Sequence, residues 1–185
     1  MPVEAELKAR VRVPEAVARV LGERAEARGE VYRDTYYDRG NGELGERDEE
    51  LRIRTVEGAD GTRTVLTWKG AALDEASGSK PEYETAVADA DAAHAILRGL
   101  GYTVRIAFEK HCRNYELTAY GRQLLATLVE VPELDGTFLE VETLVEEGEL
   151  GSALDDVRSV LGELGIASED LTTETYTGAV AARRV

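Results

Sequence analysis

Residues 3–13 read VEAELKARVRV, a strict alternation of small or apolar residues with charged ones, and the same alternation returns along much of the chain. A period of two is the signature of an extended strand, because successive side chains point to opposite faces. Here it constrains the fold further, because each strand carries charge of a chosen kind on one face. Glu4, Glu6 and Lys8 share a face, as do Arg52 with Arg54, Glu82 with Glu84, and Glu140 with Glu142. Phe138 joins the last of these faces, while Leu139, Val141 and Val145 supply the apolar side. Any one pair reads as an ordinary solvated surface. As a set, carboxylates crowded on strand faces repel one another and call for counter-charge or metal.

Between these strands the pattern changes period. Pro14 opens a helical stretch in which Val17, Val20 and Leu21 fall at helical spacing, with Gly29 as its stop. Strands are predicted at 31–38, 51–58 and 62–69, with Asp60-Gly61 as the hairpin signal between the last two. Residues 71–80 read as a polar loop and 82–88 alternate again. A helix is predicted from Asp89 to Leu100, closed by Gly101. Strands are expected at 102–109, 111–118, 123–131 and 137–145, then a third helix from Glu149 to Leu164. The tail from Ser168 is ambiguous. The turn chemistry makes the strands antiparallel, and about eight of them in one small chain predict a closed barrel with no exposed edges. The expected class is α+β: an eight-stranded antiparallel closed β-barrel with helices packed outside, one domain over 1–185.

Charge and composition exclude several functions. A net charge of −15 opposes nonspecific nucleic-acid binding, which needs positive charge to neutralise phosphates. No apolar run is long enough to span a bilayer, and residues 1–12 lack a signal-peptide pattern. A cytoplasmic protein without a membrane partner is expected, with a homodimer as the common default for small enzymes. The single Cys112 cannot form an internal disulfide, and His94 and His111 are too few for a histidine-rich metal site. His94 reads as a surface or packing residue, and no glycine run matches a Walker loop. Only Lys8, Lys69, Lys80 and Lys110 are lysine among 22 basic residues, and they lie within or beside the alternating segments. An acidic, lysine-poor chain suits high salt, where screening tolerates dense like charge; stability that fails to rise with salt counts against this.

In order along the chain, Glu4-x-Glu6-x-Lys8, Asp34-Thr35-Tyr36-Tyr37-Asp38, Leu51-Arg52-Ile53-Arg54, Trp68-Lys69-Gly70, Lys80-Pro81-Glu82-Tyr83-Glu84, Phe138-Leu139-Glu140-Val141-Glu142 and Thr175-Tyr176 resemble the motifs of the CYTH family, the triphosphate tunnel metalloenzymes. The resemblance implies an eight-stranded tunnel and one of three activities: class IV adenylate cyclase, thiamine triphosphatase or inorganic tripolyphosphatase. By position it assigns Lys8, Arg52, Arg54, Lys69, Lys110 and Arg113 to a triphosphate-containing substrate. It assigns Glu4, Glu6, Glu140 and Glu142 to Mg²⁺ or Mn²⁺, with Glu4, Glu6 and Lys8 at the chemistry. Lys80, Glu82, Glu84, Glu130 and Tyr176 support these.

The logic holds without the name. A tunnel that strips water from a polyanion must supply cations, and hard divalent ions prefer carboxylate oxygen. Two positions depart from the pattern. Cys112 stands where the family has an arginine, so Arg113 faces outward unless a bulge re-aims it. Leu128-Val129 stands where the family has Leu-Asp, leaving Glu130 as the nearest carboxylate. The leading reading is a cyclase that converts ATP to cyclic AMP and pyrophosphate. A triphosphate hydrolase and a non-catalytic polyphosphate or nucleotide sensor are the alternatives.

Overall fold

The computed structural model describes residues 1–185. Its strands are β1 (Pro2–Val11), β2 (Arg28–Arg39), β3 (Glu50–Gly58), β4 (Gly61–Lys69), β5 (Lys80–Val87), β6 (Tyr102–Ala119), β7 (Arg122–Glu130) and β8 (Thr137–Glu146). They close into a barrel in the order β1-β5-β4-β3-β2-β6-β7-β8, every neighbouring pair antiparallel. The expected barrel is thus the observed one. Five helices lie outside it: α1 (Pro14–Gly22), α2 (Glu43–Glu46), α3 (Ala90–Gly99), α4 (Leu150–Glu163) and α5 (Tyr176–Arg183). None is long and apolar enough to cross a membrane.

Alternation decides which side chains meet which layer. On β1 the odd residues Val3, Ala5, Leu7 and Ala9 are buried outward, where α1 and α4 lay Val17, Leu21, Val157, Val160 and Leu161 over the outer faces of β1, β7 and β8. A second outer cluster joins Leu97 of α3 and Leu44 of α2 to Tyr37, Leu51 and Ile53. The even-numbered charges of β1 therefore turn into the barrel. A third cluster closes part of one barrel end, where Val180 of α5 packs with Cys112, Val129, Val131 and Phe138.

Three expectations about elements are corrected. The first helix ends at Gly22, not Gly29, because the apolar spacing stops at Leu21, whose carbonyl accepts from both Arg24 and Ala25 N–H. The two strands expected at 102–109 and 111–118 are one, β6, which pairs with β2 and then β7 with no turn between. The local irregularity falls instead as a register shift at Tyr36/Tyr37 of β2. The β3–β4 turn sits one residue early: Gly58 pairs with Gly61, and Gly61 itself takes the positive φ of 108° that a side chain resists.

Candidate active site

The barrel encloses a cavity of about 470 Å³. Register brings its charges together: Glu6 lies opposite Glu142 and Lys8 opposite Glu140 across β1–β8, while Lys69 lies opposite Glu82 across β4–β5. Carboxylate oxygens of Glu4, Glu6 and Glu142 all lie within 4.8 Å of one another. Crowding in a buried space forces their protonation apart. Burial pushes Glu6 up to about 8, aided by the charges of Glu140 and Glu4. Burial, with Glu4, Glu6 and Glu140, raises Glu142 well above the ordinary range. Burial also opposes the charge on Glu4, but the Lys69 ammonium outweighs it and holds this carboxyl below its usual value.

Basic groups form the facing wall. Lys69 forms an ion pair with Glu4 and another with Glu82 at 2.9 Å, so its charge persists despite burial. Arg52 donates from Nη2 to Thr67 Oγ1 at 3.1 Å, while its Nε is buried with no partner. Arg54 donates from Nε and Nη2 to the two oxygens of Asp34 at 2.6 and 2.7 Å and lies 4.4 Å from the centre of the Tyr32 ring. Lys8 and Lys110 rest their ammonium groups 4.6 and 4.7 Å from the centre of the Tyr176 ring. Glu140 is held low by Lys110 and Lys8 against its burial.

Glu4, Glu6 and Glu142 fit a hard divalent ion. They offer only carboxylate oxygen, which Mg²⁺ and Mn²⁺ prefer, and their mutual repulsion is relieved by a cation. Glu140 lies outside the 4.8 Å group, yet its charge raises Glu6 and Glu142, and it lies opposite Lys8. A pH dependence follows. A carboxyl raised to about 8 in the folded chain favours folding below its ordinary value near 4.5, and that contribution is lost as pH rises through about 8. The ligand-free protein is therefore expected to lose thermal stability between about pH 5 and 8, with Mg²⁺ restoring it most at the alkaline end. Equal melting temperatures across that range, with and without Mg²⁺, would contradict the charge crowding.

The remaining site residues divide between the tunnel and the outside. Lys80 lies at one mouth, donating to the Asp48 carboxylate at 2.8 Å and Glu50 at 3.2 Å. Glu82 lines the interior, where burial raises its carboxyl, and the more exposed Glu84 accepts from Thr67 at 2.8 Å. Two expected site residues lie elsewhere. Arg113 faces outward, 3.5 Å from Glu15 of α1, because Lys110, Cys112 and Asn114 take the inward positions and no bulge interrupts β6 there. Glu130, opposite the outward His111, is exposed for the same reason. Cys112 and Val129 pair across β6–β7 inside the apolar cluster, and burial pushes the thiol up to about 12, so it stays neutral. The wall there is apolar where the family pattern has charge.

Two groups of tunnel residues were not singled out by the sequence. Asp34 is fully buried, its carboxyl held far below the ordinary range by Arg54 despite burial. Near the other mouth, Asn114 donates to Glu30 and Tyr32 at 2.7 Å each and accepts from Thr127 at 2.8 Å, while Arg63 clasps Glu30 at 2.7 and 3.1 Å. The Asp34-containing motif was visible, but its role depends on a partner one strand away.

Comparison with known proteins bears on this geometry. The CYTH domain profile matches residues 3–176. A Methanocaldococcus jannaschii protein, "Putative adenylate cyclase MJ0240", is 26% identical over 144 residues, 77% of each chain. PH1819 from Pyrococcus horikoshii OT3 is 28% identical and superposes with a TM-score of 0.83 over 98% of this chain and 99% of its own. HpAC1 from Hippeastrum, described with a dominant triphosphatase activity, shares the fold at a TM-score of 0.66 and 18% identity, over 98% of this chain and 96% of its own.

Proposed function

The chain belongs to the CYTH domain family, and from that premise we propose that it is a divalent-cation-dependent enzyme acting on a triphosphate held within the barrel. The observation that carries this is the meeting, in one cavity, of the Glu4–Glu6–Glu142 carboxylates with Arg52, Arg54 and Lys69. Arg52, Arg54, Lys69, Lys8 and Lys110 bind phosphate oxygens, with Arg54 presenting the edge that Asp34 leaves free. Glu4, Glu6 and Glu142 hold Mg²⁺ or Mn²⁺, and Glu140, opposite Lys8, orients the two lysines that hold its own carboxyl low. Once bound, the ion supplies Lewis-acid charge on phosphate oxygens. Positioning and charge neutralisation are the residues' contribution.

The first reading of the reaction is cyclisation: the ribose 3′-oxygen of ATP attacks the α-phosphorus, loses its proton, and pyrophosphate leaves. The name of the M. jannaschii relative supports it. One observation favours hydrolysis of a terminal phosphate instead. Every tyrosine ring lining the cavity is already engaged: Tyr32 beneath Arg54, Tyr36 stacked on Phe108 at 5.8 Å, and Tyr176 beneath two lysines. The rest of the lining is mainly charged and polar, so recognition centres on the phosphates.

Purified protein given ATP, thiamine triphosphate and tripolyphosphate, each with Mg²⁺ or Mn²⁺, separates the readings. Cyclic AMP with pyrophosphate supports the cyclase, and orthophosphate from tripolyphosphate supports the hydrolase. Saturable binding without turnover of any substrate rejects both in favour of a sensor.

A further inference from the structure

The C-terminal tail delivers a group to the tunnel that the reading above leaves unused. Thr175 caps α5, its Oγ1 accepting from Gly178 N–H at 3.2 Å, so the next residue, Tyr176, enters the first turn with its side chain toward the barrel. Val180, one turn later, is fully buried among Cys112, Val129 and Phe138 and fixes the helix on the barrel end. The Tyr176 ring stands edge-on to Phe138 at 5.3 Å and an interplanar angle of 88°.

Three observations converge on the Tyr176 hydroxyl. It is buried and makes no hydrogen bond of ordinary geometry, its one interacting acceptor being the Glu140 carboxylate, which already faces Lys8 and Lys110. Buried hydroxyls are seldom left without a well-formed hydrogen bond, so this one is free to turn to a better-placed acceptor. Its residue lines the cavity. The ammonium groups of Lys8 and Lys110 lie on its ring, so an anion drawn to them arrives beside the phenol.

We propose that Tyr176 is a substrate-binding residue whose hydroxyl donates directly to a phosphate oxygen held between Lys8 and Lys110, its ring being the seat on which both ammonium groups are stationed. This rests on the triphosphate reading and adds a neutral donor to its charged wall. It also gives α5 a role in binding, because the helix that closes the barrel end carries the donor.

The test uses the full chain, with tripolyphosphate as probe, titrated calorimetrically with Mg²⁺ and again in EDTA. Tyr176→Phe keeps the ring and removes one oxygen. Its affinity is expected to fall at least about tenfold under both conditions, the size of a hydrogen bond to a charged group. Its ligand-free melting temperature should stay unchanged or rise, since a buried hydroxyl without a well-formed hydrogen bond has gone. Tyr176→Leu, which also removes the lysines' seat, should bind more weakly still, and the outward Arg113→Gln should bind like wild type. Equal affinity of wild type and Tyr176→Phe overturns the proposal and leaves the triphosphate reading intact. A loss confined to the Mg²⁺ titration overturns the direct contact, because the hydroxyl then acts only on the binding of the ion. A wild-type chain that does not bind tripolyphosphate overturns both.

Discussion

Replacing Glu142 with glutamine is expected to lower divalent-dependent turnover by about a thousandfold while leaving the fold as stable or more so. The substitution keeps the side chain's shape and removes one of the three carboxylates that converge within 4.8 Å. A bound ion contributes several kcal/mol of charge stabilisation to phosphate chemistry, and about 1.4 kcal/mol is worth each factor of ten. The stability effect has the opposite sign. Burial, with Glu4, Glu6 and Glu140, already raises the Glu142 carboxyl, so the folded chain strains against its charge. Taking away that charge relieves repulsion most at alkaline pH. Turnover against Mn²⁺ concentration, paired with melting curves at pH 7 and 9, checks both halves. A variant that unfolds without losing metal dependence when folded would reverse the assignment.

Asp34→Asn is the second large effect, on stability first. Asp34 is 1% exposed and takes both forks of Arg54, which is itself largely enclosed. Removing one charge from such a pair strands the other in a poor solvent. The expected cost is about 3 kcal/mol, the low end for a broken buried ion pair because the guanidinium is partly exposed on the cavity wall. For a chain of this length that corresponds to a fall of roughly 10 °C in melting temperature. The stranded Arg54 then gains more from a bound polyanion, so tripolyphosphate should stabilise Asp34→Asn more than wild type. Denaturant and thermal unfolding, with and without tripolyphosphate, measure this directly. Unchanged stability would mean that Asp34 and Arg54 are not charge partners in solution.

The difference between these two residues shows what could be read in advance. Glu142 was visible because its significance lies along one strand: Phe138, Glu140 and Glu142 share a face by period alone, with Leu139 and Val141 on the other. The inward turn of Glu4, Glu6, Lys8, Arg52, Arg54 and Lys69 follows from the same rule, and so does the barrel. Asp34 stands in a motif legible in the sequence, but its place in the site depends on register. It lies opposite Arg54 across β2–β3, a relation that no single strand contains. The cluster of Glu30, Arg63 and Asn114 draws on three strands and was hidden for the same reason.

Other differences have local causes. Alternation already pointed Arg113 outward, and the continuity of β6 removed the bulge that could have re-aimed it. Alternation continues through Lys110 without a turn, so β6 exchanges one partner strand for another along its length where two strands are expected from the sequence. Helix α5 was illegible because only Tyr176 and Val180 are buried in it, too few for a periodic signal, and its place is set by the barrel end it covers.

On the proposed reading, carboxylates and cations converge inside the barrel to hold a metal-bound triphosphate. A crystal structure with tripolyphosphate and Mn²⁺ tests it most directly, since Mn²⁺ scatters anomalously and can be located without ambiguity. The expected result is a manganese peak among Glu4, Glu6 and Glu142, with phosphate density along Arg52, Arg54 and Lys69. An empty tunnel, with manganese and phosphate bound only on the outer surface, would contradict it.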